Sequence, residues 1–180
     1  MFHRLSTTVF LMLCLTACSI SPSKTAPDEH WDISGKIGIT TPNESVAGFI
    51  EWQQKGEDFD IYVSGPLSVG STRIQGNVAS ISLIHDGKTV QGINPQKLIY
   101  QELGWFFPIE NLAYWLKGKV APYSQASTQL NDNDQLSVIK QDQWQIEYLR
   151  YDDFYQLPQR IRISQGQWKF LIVIKHWNFS

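Results

Sequence analysis

Residues 78–104 read VASISLIHDGKTVQGINPQKLIYQELG, and the spacing of apolar residues changes partway along them. Val78–His85 and Thr89–Gly92 are short β-like runs. The Asp86-Gly87 pair between them is a strong hairpin signal, because both residues tolerate the positive φ angles of a tight turn whose twist suits the flanking strands. The two runs should therefore be antiparallel neighbours. At Asn94-Pro95 the pattern turns helical. Asn94 can accept from the free amides of a helix start, and Pro95 has its φ already set for the first helical position. This helix should run to about Leu103 and stop at Gly104.

Outward from this stretch the pattern is consistent. Before it, β-like runs broken by Gly, Pro, Asn and Asp predict strands near Trp31–Thr40, Val46–Gln54, Phe59–Ser64 and Thr72–Gly76. After it, Pro108 opens a second helix that places Ile109, Leu112, Trp115 and Leu116 on one face, and Gly118 stops it. Each helix has one apolar side, so each should lie against a sheet. Lys119 to Asp134 is polar and reads as loop. Strands return near Leu136–Lys140, Trp144–Arg150, Arg160–Ser164 and Trp168–His176. In the last, Trp168, Phe170, Ile172 and Ile174 share one face, while Leu171 and Val173 interrupt the polar one. Strands, two helices, then strands again predict a mostly β, α+β domain: an antiparallel sheet with both helices packed on one side.

The N-terminus belongs to export. Arg4 precedes the apolar run Val9–Leu15, which is shorter than the roughly 20 residues a spanning helix needs and fits a signal peptide. The run ends in Leu15-Thr16-Ala17-Cys18, a pattern that resembles the bacterial lipobox. Cleavage before Cys18 assigns 1–17 to a signal peptide and lipid to the Cys18 thiol. Residues 18–30 then form a polar tether with Pro22 and Pro27, and 31–180 form one domain. Cys14 leaves with the signal peptide, so the mature domain has no disulfide and must rely on its core. Stable attachment takes more than one acyl chain, and a lipoprotein cysteine usually carries three. Ser19, rather than Asp, after the cysteine points to the outer membrane.

Composition narrows the function. The net charge is −2 with no basic run, which argues against nucleic-acid binding. Seven Trp imply a core, an apolar cavity or an interface. There is no phosphate loop and no Gly-x-Ser-x-Gly elbow, and His30, His85 and His176 lack ligand-like spacing. No metal, cofactor or catalytic set is expected, and the chain reads as not an enzyme. His85-Asp86 is either an acid–base pair or, more blandly, the edge of a turn. Asp132-Asn133-Asp134 lacks the Gly and Glu of a calcium loop, and Asp152-Asp153 reads as a solvated turn. The connection Ser64-Gly65-Pro66-Leu67-Ser68-Val69-Gly70-Ser71 holds two apolar side chains. Leu67 either faces water there or folds back as a core plug.

One set of residues in order carries a resemblance. It starts with the lipobox, Gly35-Lys36-Ile37, Trp52-Gln53-Gln54, Gly65-Pro66-Leu67 and Leu103-Gly104. It continues with Phe107-Pro108-Ile109, Leu112 and Trp115 with Gly118, Trp144 with Tyr148, Leu157-Pro158 and the closing run to Trp177. Over nearly the whole mature domain this resembles the outer-membrane lipoprotein receptor family LolB. The resemblance implies an open antiparallel β-barrel, a half-barrel with helices covering its mouth, similar to the periplasmic carrier LolA. It implies a monomer that accepts lipoproteins from LolA, shields their acyl chains in an apolar cavity and inserts them into outer-membrane lipids. Leu67 matches the family's insertion-loop leucine, with Pro66 and Val69 beside it. This chain has Ser68 and Val69 where the family usually shows Gly, so Val69 can share the role of Leu67. Candidates for the cavity lining are Ile50, Trp52, Ile61, Val63, Leu112, Trp115, Ile146, Tyr148, Ile172 and Ile174, each of which equally suits an ordinary core. The competing reading is a lipocalin-like lipoprotein that binds a lipid or small apolar ligand.

Overall fold

The computed structural model describes residues 30–65, 70–77, 79–106, 108–122 and 124–179. Six strands come first: β1 (His30–Thr40), β2 (Ser45–Lys55), β3 (Asp58–Ser64), β4 (Thr72–Gly76), β5 (Ile81–His85) and β6 (Lys88–Gly92). Two helices come next, α1 (Pro95–Leu103) and α2 (Ile109–Trp115). Five strands complete the chain: β7 (Ala126–Leu130), β8 (Leu136–Gln141), β9 (Trp144–Tyr151), β10 (Pro158–Gln165) and β11 (Trp168–Phe179). All eleven form one antiparallel sheet in the order β6-β5-β4-β3-β2-β1-β11-β10-β9-β8-β7. The chain starts in mid-sheet, steps by hairpins to the β6 edge, and crosses to the β7 edge through the helices. From there it steps back until β11 closes against β1. The β6 and β7 edges do not pair with each other, so the barrel is open.

The helices cover the inner face, and the core lies between the two layers. Ile33, Ile37 and Ile39 of β1, Ile50 and Trp52 of β2, and Phe170, Ile172 and Ile174 of β11 are all buried. They form one cluster with Leu98, Ile99, Leu112 and Trp115 from the helices. A bulge adjusts this alternation. Ser34 pairs with His176 but Gly35 pairs with Ile174, so Lys175 is the extra residue. The inward parity of β11 therefore changes from even to odd, and Trp177 stays buried like Ile174. Gly35 is needed opposite it, because a Cβ there would overlap the Val173 carbonyl oxygen.

The turn and cap chemistry agrees with the sequence. Asp86 and Gly87 both take positive φ, 49° and 73°. Asn94 accepts from the Lys97 amide at 2.9 Å. Gly104, at φ 66°, ends α1 by donating to the Tyr100 carbonyl. Three expectations need correction. The polar stretch 119–134 contains a strand, β7, which pairs with β8 along its length. Its sequence ASTQL has no apolar alternation because it is an edge strand, largely exposed. Second, α2 ends at Trp115, and Gly118 (φ 70°) closes a further turn instead of the helix. Third, β5 starts at Ile81, not Val78. Asn77 accepts from the Ala79 and Ser80 amides and spends those residues on a turn. Val78 itself lies outside the described residues, as do the expected signal peptide, Cys18 and the expected tether except for His30, which instead begins β1.

Candidate functional site

At the end of the sheet where β1 meets β2 and β3 meets β4, the inner face is not filled. Ile37 and Ile39, Val46 and Val63 line a cavity of about 650 Å³, with Leu103 and Trp105 from the end of α1 opposite them. Gly48 also lines it. A Cβ on Gly48 would overlap the Ser64 carbonyl oxygen, so the two backbones approach closely there. The volume falls within the roughly 300–1,000 Å³ of pockets that bury one small ligand. Gly65 and Gly70 are both on its wall. The cavity therefore sits at the base of the connection that carries residues 66–69.

Its rim is polar. Thr72 is buried, and its Oγ1 lies 2.7 Å from His85 Nδ1. His85 Nε2 lies 3.2 Å from Asp86 Oδ2. Thr72 and His85 are direct cross-strand partners, so the imidazole ties β4 to the β5–β6 turn. That is the bland reading of His85-Asp86. Glu44 and Glu102 complete the rim. Asp152 likewise serves a turn, accepting from the Phe154 and Tyr155 amides.

Under α2 the inner face is more nearly filled, with a smaller cavity of about 200 Å³ between α2 and Trp31, Gln54 and Phe59, and it is held by buried hydrogen bonds. Trp115 Nε1 donates to Gln141 Oε1 at 2.9 Å. Gln141 Nε2 donates to the carbonyls of Ala121 and Ser124 at 2.7 and 3.0 Å. The Tyr148 hydroxyl donates to the Trp115 carbonyl at 2.9 Å, and burial raises its pKa far above the usual phenol range. Tyr151, bonded to the Leu136 carbonyl, is pushed up to about 12 by the same cause. Unmet buried polar groups cost more than these bonds contribute, so such a network fixes one arrangement.

The ten residues expected at the cavity divide unevenly. Val63 is on its wall. Ile50, Trp52, Ile61, Ile172 and Ile174 of the sheet pack in the buried core, as do Leu112 and Trp115 of α2 and Ile146 and Tyr148 of β9. Pro66, Leu67, Val69 and Cys18 lie outside the described residues. Ile37, Ile39, Val46, Leu103 and Trp105 line the cavity without having been singled out. The first three lie inside predicted strands, but alternation gives a residue's face and not whether that face is filled. Trp105 comes after a helix-ending glycine, a place with no periodicity to read.

A larger groove of about 1190 Å³ is built on the same β1–β2 turn and the same segment after α1 as the cavity, through Pro42 and Phe106 where the cavity has Glu44 and Trp105. It is more open than the cavity and four glutamines contribute to its walls, so it would leave a hydrocarbon chain in more contact with water and polar groups. The cavity of about 650 Å³ is the better match for an apolar ligand. There, each methylene removed from water is worth about 0.8 kcal/mol.

The family model described as outer membrane lipoprotein LolB matches residues 29–177 of this chain. An outer-membrane lipoprotein LolB of Stutzerimonas stutzeri (strain A1501) is 38% identical over 158 residues, covering 86% of this chain and 77% of that protein. The outer-membrane lipoprotein LolB of Marinomonas sp. (strain MWYL1) is 33% identical over 178 residues, covering 92% and 93%. Among solved structures, a LolA superfamily protein from Nitrosomonas europaea matches with a TM-score of 0.55, covering 86% of this chain and 87% of that one. At 9% identity that likeness concerns the fold alone.

Proposed function

Because the chain belongs to the LolB family of outer membrane lipoproteins, we propose that it is a lipid-anchored receptor facing the periplasm from the outer membrane. It accepts lipoproteins from the carrier LolA as a monomer, shields their acyl chains and inserts them into the bilayer. Cys18 carries its own anchor. The observation that carries this reading is the position of the apolar cavity. Gly65 and Gly70 line it and bracket the connection that holds Pro66, Leu67 and Val69. Acyl chains leaving the cavity thus meet the loop proposed to touch lipid. Two apolar side chains of β2 near the connection are also exposed, Val46 on the cavity wall and Phe49 on the opposite face of the strand. Val46 is 40% exposed and Phe49 is 51% exposed, and Phe49 pairs with Ser64 at the start of the connection.

The energetics suit a relay without covalent chemistry. At about 0.8 kcal/mol per buried methylene, three acyl chains represent tens of kcal/mol, so free lipoprotein does not cross water at a useful rate. The receptor's cavity must bind more tightly than the carrier's and less tightly than the bilayer. The lipocalin-like alternative is disfavoured by the open edges, since a lipocalin encloses its ligand in a closed barrel.

A transfer assay tests the reading. A purified carrier–lipoprotein complex is mixed with liposomes bearing the processed, lipidated protein, and cargo is tracked into the membrane fraction. Transfer should depend on this protein. Leu67→Glu should abolish most of it, and Phe49→Ser should slow it. If Leu67→Glu delivers cargo as well as the parent chain does, the role given to Leu67 is wrong. If cargo stays on its carrier throughout, the receptor reading is wrong.

A further inference from the structure

The groove beside the apolar cavity has no task in the transfer of acyl chains. It is bordered by α1, by the β8–β9 turn, and by the β10–β11 turn. Gln96, Gln143, Gln165 and Gln167 bring four primary amides to it. Among the described residues these side chains have no hydrogen-bond partner, whereas Gln54 and Gln141 are tied into the fold. The floor is aromatic and braced from below. The Phe106 and Trp168 rings lie 6.5 Å apart, and Phe106 stacks on the buried Trp144 at 5.9 Å. Among the described residues Lys97 is the one charged side chain of the lining.

This chemistry selects a neutral, polar, extended ligand. A primary amide both donates and accepts, which matches the alternating N–H and C=O of a peptide backbone whatever its side chains are. A phosphate or carboxylate ligand would call for clustered cations. The place of the groove supplies the rest. Pro42 borders the groove and Glu44 the cavity, two positions apart in the β1–β2 turn. Phe106 borders the groove and its neighbour Trp105 the cavity. Both sites are thus built on the β1–β2 turn and the segment after α1, so the groove is the neighbouring polar-walled surface for a molecule whose apolar end is in the cavity. In a lipoprotein the acyl chains and the polypeptide meet at one cysteine. This chain's own residues after Cys18, rich in Ser, Thr and Pro, exemplify the polypeptide that adjoins such a cysteine.

We propose that the groove holds the first residues of the cargo polypeptide after its lipidated cysteine, as an extended chain recognised through its backbone. This rests on the reading of the cavity as an acyl-chain site. Recognition of backbone explains how one receptor serves cargoes of different sequence: the amides read what all cargoes share.

Two synthetic probes test it with the processed full chain in a mild detergent: a dipalmitoylated cysteine amide, and the same cysteine extended by a short tail of Ser and Thr. The tail should tighten binding about tenfold, the effect of one or two added hydrogen bonds. Gln96→Ala combined with Gln167→Ala should remove that gain and leave the tail-less probe unchanged, which also reports an intact fold. A photoreactive residue at the second tail position should cross-link to the β10–β11 turn. Equal binding of both probes to the parent chain overturns the proposal while leaving the acyl-chain reading standing. Failure of both probes to bind removes that reading and this one with it. A gain that is displaced by a neutral oligosaccharide, or that emerges only after deletion of residues 19–29, assigns the groove to a glycan or to the chain's own tether instead.

Discussion

Two tyrosines give this fold a dependence on alkaline pH. Tyr148 and Tyr151 both have pKa values raised by burial, Tyr151 to about 12 from an ordinary 10. A raised folded-state value means that the native state holds the proton more tightly than the unfolded chain does. Their contribution is therefore complete below pH 10 and is lost as pH rises from there through the folded values. Urea midpoints should be flat to about pH 9 and fall steeply above 10. Tyr148→Phe with Tyr151→Phe should flatten that fall, at a cost of about 1 kcal/mol per lost hydrogen bond at neutral pH. An unchanged alkaline limb in the double variant would move the cause elsewhere. Of the residues that line the cavity, Val63 was picked out from sequence. Ile37, Ile39 and Val46 were legible only as strand positions, because their special property is a missing neighbour on the inner face.

Among the elements, the two helices do different work. The sequence announces α1 at both ends, through Asn94-Pro95 and Gly104, and the structure matches it. It announces α2 through Pro108 and a spacing of three and four, but misplaces its end, since Gly118 terminates a turn that only continues the helix path. The bond that holds α2 is not visible in any local pattern. Gln141 lies 26 positions from Trp115 and bonds to it at the end of β8. Gln141→Leu keeps the volume but leaves the Trp115 indole N–H and the Ala121 groups unmet. Each such group costs roughly 1–3 kcal/mol, so a loss of about 3 kcal/mol is expected. Urea unfolding would report it as a lower midpoint with an unchanged slope. A neutral result would mean that water replaces the glutamine and that α2 is held by packing alone.

For the whole molecule the issue is capacity. The cavity suits one small ligand, while much of the remaining inner face is occupied by core. If several acyl chains enter, α1 has to lift from β5 and β6, the strands it packs on. A Cβ at Gly92 would lie 3.8 Å from that of Leu98, the mean separation in a disulfide. Gly92→Cys with Leu98→Cys should therefore lock α1 down, in a domain with no other thiol once Cys18 is lipidated. Oxidised protein should lose transfer, and a reductant should restore it. Transfer that survives the lock would show that the cavity takes its load with α1 seated.

The sequence alone determined both helices and ten of the eleven strands in order, the turns at Asp86-Gly87 and Gly104, and the family, because these depend on local conformational preference and on residues in fixed order. It did not determine β7, whose polar edge position leaves no alternation to read. The bulge at Lys175 was equally hidden, since its effect is to keep two parities on one face. Above all, it did not decide where the inner face is filled. Side chains from β1, β2, β3 and the end of α1 meet there without closing, and whether they close is set by helix placement across the sheet. That is a property of volumes brought together in space, and no spacing along the chain encodes it.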